Sequence, residues 1–586
     1  MISILIDMIR IEHLARAVVI LAAVGLACGA AFGADAPMEA FWFDGFPGGL
    51  SPHALPGSAR PFAGTPAAKA AFRGQTESVV LALKASCDVS AVVFRPLEVF
   101  PPAGGAFEPD PEPGSYKPLG AEILAVVHAR RDPRRCPHLR ILLGRRPALK
   151  RGSGALVPEL LVHDVEAFRA GADAFRRNGV PPLGEPGPAR AGDLGAGETA
   201  YFLLRYRVGE EAPAGAYQVD LAADPGAVRA SVTIRVIEET LAPSEKLLCL
   251  SAEFDRPEHV RGLARAGLTF IRTRAASRWR NVRGRFQEMA SAGVRAVSQN
   301  KPPETLEEVH ALPEGPALFF YGVDEPQPKG RGQRRNWSRM ARHVRLSERI
   351  HHLGGRVGCS MPFELAESLA TPGGKVYREL APLGAGAALE PLDWANYPLG
   401  FSYVFSTRKR RRIFEGETAF ADVWAYMKTL QEEREAGSLD PISEKPVSRR
   451  SRTETAYFPL GYLRDPFLAR WVFGAFVAQS ELDGVVAWTA FRPRGEKVFD
   501  DADGADALVA LPTAEGIAAT YCFEAMRAGI NDLRIIEHLR EAGDAEVESM
   551  LRPWRGPTVG GRRIDEAWGE EGLAMLRRAL MARAGG

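Results

Sequence analysis

The sequence predicts a multidomain protein, with an N-terminal β-sandwich followed by a TIM-like (β/α)8 barrel. Three observations support this fold class. The chain has 586 residues, which is too many for one hydrophobic core, so two or three domains are expected. Short apolar segments separated by Pro/Gly-rich turns dominate up to residue 243, a pattern typical of a sandwich. From residue 244, strand-like and helix-like segments alternate, which is typical of a barrel.

The overall composition is that of an ordinary globular protein. Hydrophobic residues make up 46% and charged residues 25% of the chain. The 74 Lys and Arg residues nearly balance the 72 Asp and Glu residues, so a nucleic-acid partner is not expected. The six cysteines form no CxxC pair and no zinc or iron–sulfur spacing. The sequence therefore predicts no metal site and no cofactor.

The N-terminus resembles an export signal. Arg10 and Arg16 precede an apolar segment at 17–28, which is too short to span a bilayer comfortably, and small residues suited to cleavage follow it. Residues 1–33 are therefore predicted to be a signal peptide. The mature chain is then periplasmic or extracellular, with no membrane span. A lipoprotein modified at Cys28 and a single-pass anchor remain as alternatives.

The region 34–73 is rich in Gly, Pro and Ala and is predicted to be an irregular lead-in. The β-sandwich is predicted over 74–243, because its apolar segments are rich in β-branched and aromatic residues and are bounded by turn signals. Its strands are predicted at 78–85, 90–94, 123–130, 199–208, 215–223 and 229–237.

The barrel is predicted over 244–539, and a C-terminal helical tail over 540–586. Glycine follows several of the helical segments, as expected for C-terminal caps. The eight strands are predicted at 247–250, 268–273, 294–298, 317–323, 356–361, 387–392, 418–424 and 484–489. The clearest helices are predicted at 257–266, 281–292, 337–353, 465–482 and 518–539.

Two adjacent carboxylates, Asp324 and Glu325, come directly after the fourth predicted barrel strand, and Pro326 follows them. Catalytic residues of such barrels collect at the carboxyl ends of the strands. The alternative is structural, since Asp before Pro can simply start a helix or a turn.

Aromatic residues are predicted at the same ends of other barrel strands. Carboxylates mixed with Trp and Tyr suit a carbohydrate site, because aromatic faces stack on sugar rings and carboxylates act as acid or base. The alternative is that the tryptophans fill the barrel core. The aromatic candidates are Trp394, Tyr397, Trp424, Tyr426 and Trp488.

Neighbouring residues on a strand point to opposite faces, so Asp324 and Glu325 do not easily flank a scissile bond in the way of ordinary glycosidase pairs. A different chemistry suits adjacent carboxylates. The carbonyl oxygen of a 2-acetamido group can attack the anomeric carbon of its own sugar. The enzyme then supplies one acid for the leaving oxygen and one carboxylate that orients the acetamide.

Several motifs occur in a characteristic order. They are GQTES at 74–78, APAGAY at 212–217, YGVDEP at 321–326, FEAMR at 523–527 and GIND at 529–532. In this order and spacing the chain resembles glycoside hydrolase family 123 and the uncharacterised catalytic-domain relatives grouped with it. The resemblance covers most of residues 74–535. One departure is Cys522, which stands where relatives usually show arginine.

The resemblance implies a retaining, substrate-assisted mechanism of the β-N-acetylgalactosaminidase type. It makes Glu325 the general acid/base and Asp324 the residue that orients the acetamide. It also matches Trp488 to a tryptophan near the sugar. Tyr397 is predicted, from its residue type, to help hold the acetamide oxygen.

Three further residues, Glu524, Arg527 and Asp532, match conspicuous positions of the family. They are predicted to lie on a helix away from the strand ends. We therefore expect them to form a structural network that closes the barrel.

The sequence thus predicts a secreted glycoside hydrolase that acts on a β-linked 2-acetamido sugar of an oligo- or polysaccharide. One alternative is a non-catalytic carbohydrate-binding or surface protein that retains the fold. Another is a conventional two-carboxylate glycosidase, with Glu325 as acid and Asp393 or Asp422 facing it. The distance between the carboxylates distinguishes the two mechanisms.

Overall fold

The fold was analysed in a computed structural model of the chain. It describes residues 37–47, 50–63, 67–102, 119–131, 155–178, 187–225, 228–251, 257–273, 286–291, 293–299, 316–323, 326, 337–361, 375–383, 394–398, 453–458, 466–479, 482–488, 491–492, 507–513, 516–554, 558–559, 562–563 and 569–585.

Two sheets form the N-terminal unit. The six-stranded sheet has the order β2-β1-β4-β9-β6-β7, and the five-stranded sheet has the order β3-β11-β10-β5-β8. All pairings are antiparallel except the parallel pair of β3 and β11. The strands are β1 (Met38–Phe43), β2 (Arg60–Pro61), β3 (Ala67–Arg73), β4 (Thr76–Ala85), β5 (Val89–Phe100), β6 (Leu119–Arg131), β7 (Ala155–Val162), β8 (Ala189–Leu194), β9 (Thr199–Val208), β10 (Gly215–Asp224) and β11 (Val228–Thr240).

Both faces of the six-stranded sheet are buried. Leu81 on β4 and Phe202 on β9 pack in one cluster with Phe94 and Ile234 of the five-stranded sheet. The intervening residues of β4 and β9 belong to a second cluster, which they share with the barrel helices. This explains why the segment 78–85 is almost continuously apolar, since an antiparallel sheet with one solvated face alternates instead.

The predicted irregular lead-in is wrong in part. Strand β1 pairs with β4 along six residues, and β3 pairs in parallel with β11. The sequence of β3 is rich in alanine, which has a low intrinsic preference for strands. Its strand conformation is therefore set by the neighbouring strand and by the burial of Ala67 and Phe72.

Eight parallel strands form a closed barrel in the order β12 to β19. Consecutive strands pair along the chain, and β19 closes the ring by pairing with β12. The strands are β12 (Leu247–Ser251), β13 (Phe270–Thr273), β14 (Ala296–Gln299), β15 (Ala317–Tyr321), β16 (Arg356–Ser360), β17 (Trp394–Pro398), β18 (Thr453–Phe458) and β19 (Gly484–Trp488).

In the described part of the chain, helices follow six of the eight barrel strands. One further helix, α1, belongs to the N-terminal unit. The helices are α1 (Val165–Asn178), α2 (Pro257–Arg265), α3 (Phe286–Ser291), α4 (Ser338–His352), α5 (Lys375–Leu380), α6 (Pro466–Trp471), α7 (Val477–Gln479), α8 (Tyr521–Glu541), α9 (Glu546–Leu551) and α10 (Gly569–Ala584). A π-helical turn, Val472–Phe476, joins α6 to α7. No helix in the described ranges is long and apolar enough to cross a membrane.

Short elements complete the described fold. Among the described residues, two 3-10 helices, Ala381–Leu383 and Arg552–Trp554, and three small antiparallel strand pairs lie outside the main sheets. The remaining strands are β20 (Phe491–Arg492), β21 (Ala507–Leu508), β22 (Ala510–Pro512), β23 (Ile517–Ala519), β24 (Thr558–Val559) and β25 (Arg562–Arg563).

The sixth and seventh barrel strands differ from the prediction. The sixth is Trp394–Pro398 and the seventh is Thr453–Phe458. The segments predicted for them, 387–392 and 418–424, lie outside the described residues. Asn and Pro weaken the local signal of the sixth strand, and only its parallel pairing with both neighbours defines it.

Candidate functional site at the carboxyl end of the barrel

Most predicted site residues lie outside the described part of the chain. Asp324 and Glu325 directly follow Val323, two residues after the end of strand β15, and their own positions are not described. The same holds for Trp424 and Tyr426, which were predicted to follow the seventh strand. That prediction is wrong as stated, because the seventh barrel strand begins at Thr453.

For three aromatic candidates the strand register is described. Trp488 pairs with Ser251, two residues further along both strands than the pair of Cys249 and Val486, which belong to the cluster inside the barrel. Residues two apart on a strand lie on the same face of the sheet. Trp394 pairs with Gly358, which also pairs with the interior residue Tyr321. Both tryptophans therefore occupy register positions on the lumen side of the barrel.

Tyr397 occupies a register position on the outer face of the barrel, toward the helices. It pairs with Ala456, which in turn pairs with Val485, a residue of the cluster between the barrel and its helices. The register thus favours the two tryptophans over Tyr397 as lumen positions. The sixth strand begins at Trp394, so the expectation that Asp393 and Trp394 follow this strand is wrong.

The described part of the barrel interior contains a polar cluster below the strand ends. The Tyr321 hydroxyl donates a hydrogen bond to Ser360 Oγ at 2.7 Å, and the Ser360 amide donates to the Tyr321 oxygen at 3.1 Å. The Arg272 guanidinium lies over the Tyr321 ring, 4.0 Å from its centroid. These contacts tie strands β13, β15 and β16 together and place one positive charge inside the barrel.

Arg272 also influences its neighbour Cys249. Burial raises the pKa of the Cys249 thiol to about 12, although the positive charge of Arg272 opposes the shift. The thiol is therefore protonated at neutral pH and is no nucleophile there. Of these two residues, Arg272 rather than Cys249 is a candidate functional residue.

Sequence reasoning missed Arg272, Tyr321 and Ser360. A signal for Arg272 was present, because a charged residue within the apolar strand Phe270–Thr273 requires a buried partner or a function. Tyr321 and Ser360 gave no such signal, since Tyr and Ser are common in strands and loops. Their hydrogen bond joins residues 39 positions apart.

Directly before Asp324, the chain packs closely against helix α4. The Val323 amide donates a hydrogen bond to His343 Nδ1 at 3.3 Å, and the Gly322 amide donates to the Gly358 carbonyl oxygen at 2.8 Å. A Cβ atom at Gly322 would lie 2.4 Å from His343 Nδ1. Glycine is therefore required at this position for the imidazole to reach the backbone of residue 323.

His343 is fully buried. Burial lowers the pKa of its imidazole to about 4, and the nearby His351 adds to the shift. The ring is therefore neutral at physiological pH. Because Nδ1 accepts the Val323 amide, its proton is on Nε2.

The predicted network of family-matched residues lies on helix α8. The Glu524 carboxylate accepts hydrogen bonds from Ser78 Oγ at 3.0 Å and from Arg205 Nη1 at 3.2 Å, and it pairs with Arg527. Ser78 and Arg205 belong to the six-stranded sheet. The network therefore joins the barrel to the N-terminal unit, rather than only closing the barrel.

A second part of the same network contains Asp532. Its carboxylate accepts from Arg470 Nε at 2.9 Å and from Arg577 Nη1 at 2.8 Å. Arg577 on α10 also pairs with Glu77 on β4. Helix α10, within the predicted C-terminal tail, is thus packed between the barrel and the first sheet.

Comparison with known proteins gives only structural likenesses. No family model matches the sequence, and no curated protein matches it. A family 123 glycoside hydrolase from Clostridium perfringens is similar in fold, with a TM-score of 0.49 and 10% identity over 88% of this chain and 94% of that chain.

Two further solved structures are less similar. A putative alpha-galactosidase from Bacteroides fragilis has a TM-score of 0.18 and 10% identity over 56% of this chain and 68% of that chain. A rubisco-like protein from Burkholderia fungorum has a TM-score of 0.19 and 12% identity over 64% of this chain and 89% of that chain. At these levels of similarity, neither a family nor an activity follows for this chain.

Proposed function

We propose that this protein is a secreted glycoside hydrolase that cleaves a β-linked 2-acetamido sugar by a retaining, substrate-assisted mechanism. One observation carries the proposal. Strand β15 of a closed parallel barrel runs through Gly322 and Val323 directly into Asp324-Glu325 at its carboxyl end. Paired carboxylates at that end of such a barrel are suited to acid–base catalysis.

The proposal includes a finer account of the fold. The two N-terminal sheets, which share one buried cluster, form a β-sandwich domain. The barrel is a complete (β/α)8 unit, and residues 1–33 are a signal peptide. The order of these parts agrees with the motifs that resemble family 123.

In the first step, the Glu325 carboxyl group donates its proton to the glycosidic oxygen while the bond between that oxygen and the anomeric carbon breaks. The carbonyl oxygen of the substrate's own acetamide forms a new bond to the anomeric carbon from the opposite face. Asp324 accepts a hydrogen bond from the acetamide N–H and stabilises the resulting oxazolinium ion.

In the second step, a water molecule attacks the anomeric carbon on the face that the leaving group vacated. The Glu325 carboxylate takes a proton from this water, and the bond to the acetamide oxygen breaks. Two inversions give net retention of configuration, and Glu325 returns to its protonated state.

Described residues of the barrel interior also support the proposal. Arg272 contributes a buried positive charge on the Tyr321 ring, two residues before Val323. A buried positive charge stabilises negative charge that develops close to it. The lumen register position of Trp488, the last residue of strand β19, suits stacking on a sugar ring.

The test is hydrolysis of chromogenic β-glycosides by the mature protein. The panel contains an N-acetylgalactosaminide, an N-acetylglucosaminide, their N-trifluoroacetyl analogues and the plain 2-hydroxy sugars. Glu325→Gln and Asp324→Asn are compared with Glu258→Gln, which changes a carboxylate that pairs with Arg261 on the outer helix α2. We expect activity on acetamido sugars only, lost in the first two variants and retained in the third.

The N-trifluoroacetyl analogues report the role of the acetamide. Fluorine withdraws electrons from the carbonyl oxygen, so a substrate-assisted reaction slows strongly on them. Equal rates on both sets of substrates, or activity on 2-hydroxy sugars, would instead indicate a conventional two-carboxylate mechanism. Inactivity across the panel, together with glycan binding, would indicate a non-catalytic carbohydrate-binding protein.

A further inference from the structure

We propose that His343 is a positioning residue for the catalytic strand: by accepting the Val323 amide hydrogen bond, its imidazole sets the backbone from which Asp324 and Glu325 follow. This inference rests on the proposed function for its catalytic consequence. Its structural part concerns described residues only.

The contact between His343 and the Val323 amide lies directly before the carboxylate pair in the chain. Strand β15 ends at Tyr321, and the last backbone amide described before the carboxylate pair is that of Val323. Among the described residues, the strand pairing on this side ends at Tyr321 and Gly358, before this amide. His343 Nδ1 accepts it at 3.3 Å, from a helix on the outside of the barrel.

The His343 imidazole packs closely against the backbone at Gly322. His343 is fully buried on α4, and its ring lies against Gly322, where a Cβ atom would lie only 2.4 Å from Nδ1 and 2.6 Å from Cε1. Gly322 itself is held by its amide hydrogen bond to Gly358 of the neighbouring strand. The backbone of 322–323 is therefore fixed from the barrel on one side and from the helix on the other.

The His343 side chain is also chemically suited to this contact. Only a neutral imidazole accepts at Nδ1, and burial keeps the pKa of His343 near 4. A hydrophobic side chain at 343 would fill the space but leave the half-buried Val323 amide without this acceptor. A displacement of about 1 Å at a catalytic group is enough to reduce a rate about 100-fold.

The experiment compares two substitutions at position 343. His343→Asn keeps an acceptor oxygen close to the Nδ1 position, whereas His343→Leu removes it. The control is Ser347→Ala, which deletes a buried hydroxyl bonded to the His343 carbonyl oxygen on the same helix but leaves the imidazole in place. Hydrogen exchange at the Val323 amide is read by mass spectrometry with fragmentation, and kcat and KM are measured on the preferred acetamido glycoside.

We expect faster exchange at Val323 in His343→Leu, by about tenfold or more, and near wild-type exchange in the Asn and Ala variants. We also expect kcat to fall by about 10- to 100-fold in the Leu variant, with KM changed much less, and rescue by Asn. Unchanged exchange at Val323 in the Leu variant, or equal loss of kcat in the Asn and Leu variants, would overturn the proposal.

The two proposals fail in different ways. If wild-type protein cleaves no substrate, the proposed function fails, while the exchange measurement still decides whether His343 holds the strand. If wild-type protein is active and exchange is unchanged in His343→Leu, the positioning role fails and the proposed function stands.

Discussion

The Glu524 carboxylate on the last barrel helix accepts a hydrogen bond from the Ser78 hydroxyl, 446 positions earlier in the chain. The Glu524 side chain is completely buried and also pairs with Arg205 and Arg527. A carboxylate in such a place requires its cationic partners, because an unpaired buried charge is strongly destabilising. The contact between the N-terminal unit and the barrel therefore depends on ion pairs and hydrogen bonds of Glu524 as well as on hydrophobic packing.

Neutralising the Glu524 carboxylate should lower the free energy of unfolding of the protein. We expect Glu524→Gln to destabilise the fold by about 3–5 kcal/mol, because it removes the counter-charge of the buried Arg527 and leaves Arg205 with Glu122 alone. Ser78→Ala removes one neutral donor from the same carboxylate and should cost about 1 kcal/mol. Urea unfolding of the two variants measures the difference, and equal effects would contradict a charge-based interface.

Substitution of Gly322 should be costly because of its contact with His343. We expect Gly322→Ala to destabilise the protein by about 1–3 kcal/mol, since the new methyl group overlaps the imidazole. His343→Ala removes the obstacle, so the double variant should be more stable than the sum of the single effects predicts. The control is Gly57→Ala at an exposed position with no atom within 4 Å of the added carbon, where thermal melting should be nearly unchanged.

Stability should fall in mild acid through two histidines, the fully buried His343 and the half-buried His128. Burial lowers the pKa of both His128 and His343 from 6.5 to about 4. Above pH 6.5 both folded and unfolded chains are neutral at these sites, so the full stability is present. Between pH 6.5 and 4 only the unfolded chain takes up the protons, so stability is lost as pH falls, and below pH 4 the loss levels off.

A variant isolates one of these sites. His128 packs beside the Tyr201 ring, with centroids 5.7 Å apart, so His128→Phe keeps an aromatic ring while removing the titration. We expect the unfolding free energy of this variant to fall less steeply between pH 6.5 and 4, by up to about 1.4 kcal/mol per pH unit. Parallel curves for variant and wild type would show that His128 does not stay neutral in the folded protein.

The strand register distinguishes two aromatic candidates of the proposed site. Trp488 shares the interior row with Ser251 and Val486, whereas Tyr397 shares the outer row with Val485. We expect Trp488→Ala to lower kcat/KM on the acetamido glycoside by about tenfold or more, the loss of a stacking contact worth about 1.4 kcal/mol. Tyr397→Phe should leave kcat/KM within about twofold, and a large loss there would favour the original prediction for the Tyr397 hydroxyl.

Much of the architecture could be predicted from local sequence. Six of the eight barrel strands lie within a few residues of their predicted positions, among them Leu247–Ser251 and Gly484–Trp488. These segments are short, apolar and bounded by Gly or Pro, so local propensity and burial agree. The same signals predicted the fourth strand, Ala317–Tyr321, which precedes Asp324-Glu325 in the chain.

The remaining parts depended on partners distant in sequence. The strand Ala67–Arg73 is alanine-rich, and Trp394–Pro398 contains Asn and Pro, so neither has a strong preference of its own. Each is defined by parallel pairing with a neighbour whose position along the chain no local pattern reveals. The local sequence therefore predicted an irregular lead-in for the first and the wrong position for the second.

The sequence by itself determined the class of fold, the strand that carries the carboxylate pair and the motifs that resemble a glycoside hydrolase family. Only the tertiary structure decided that His343 accepts the Val323 amide, that Arg272 lies on Tyr321, and that Glu524 bonds to the first sheet. Strands and helices follow from the spacing of apolar residues along the chain. Contacts between polar side chains follow from which elements meet in space, and that is fixed only when the sheets, barrel and helices are packed together.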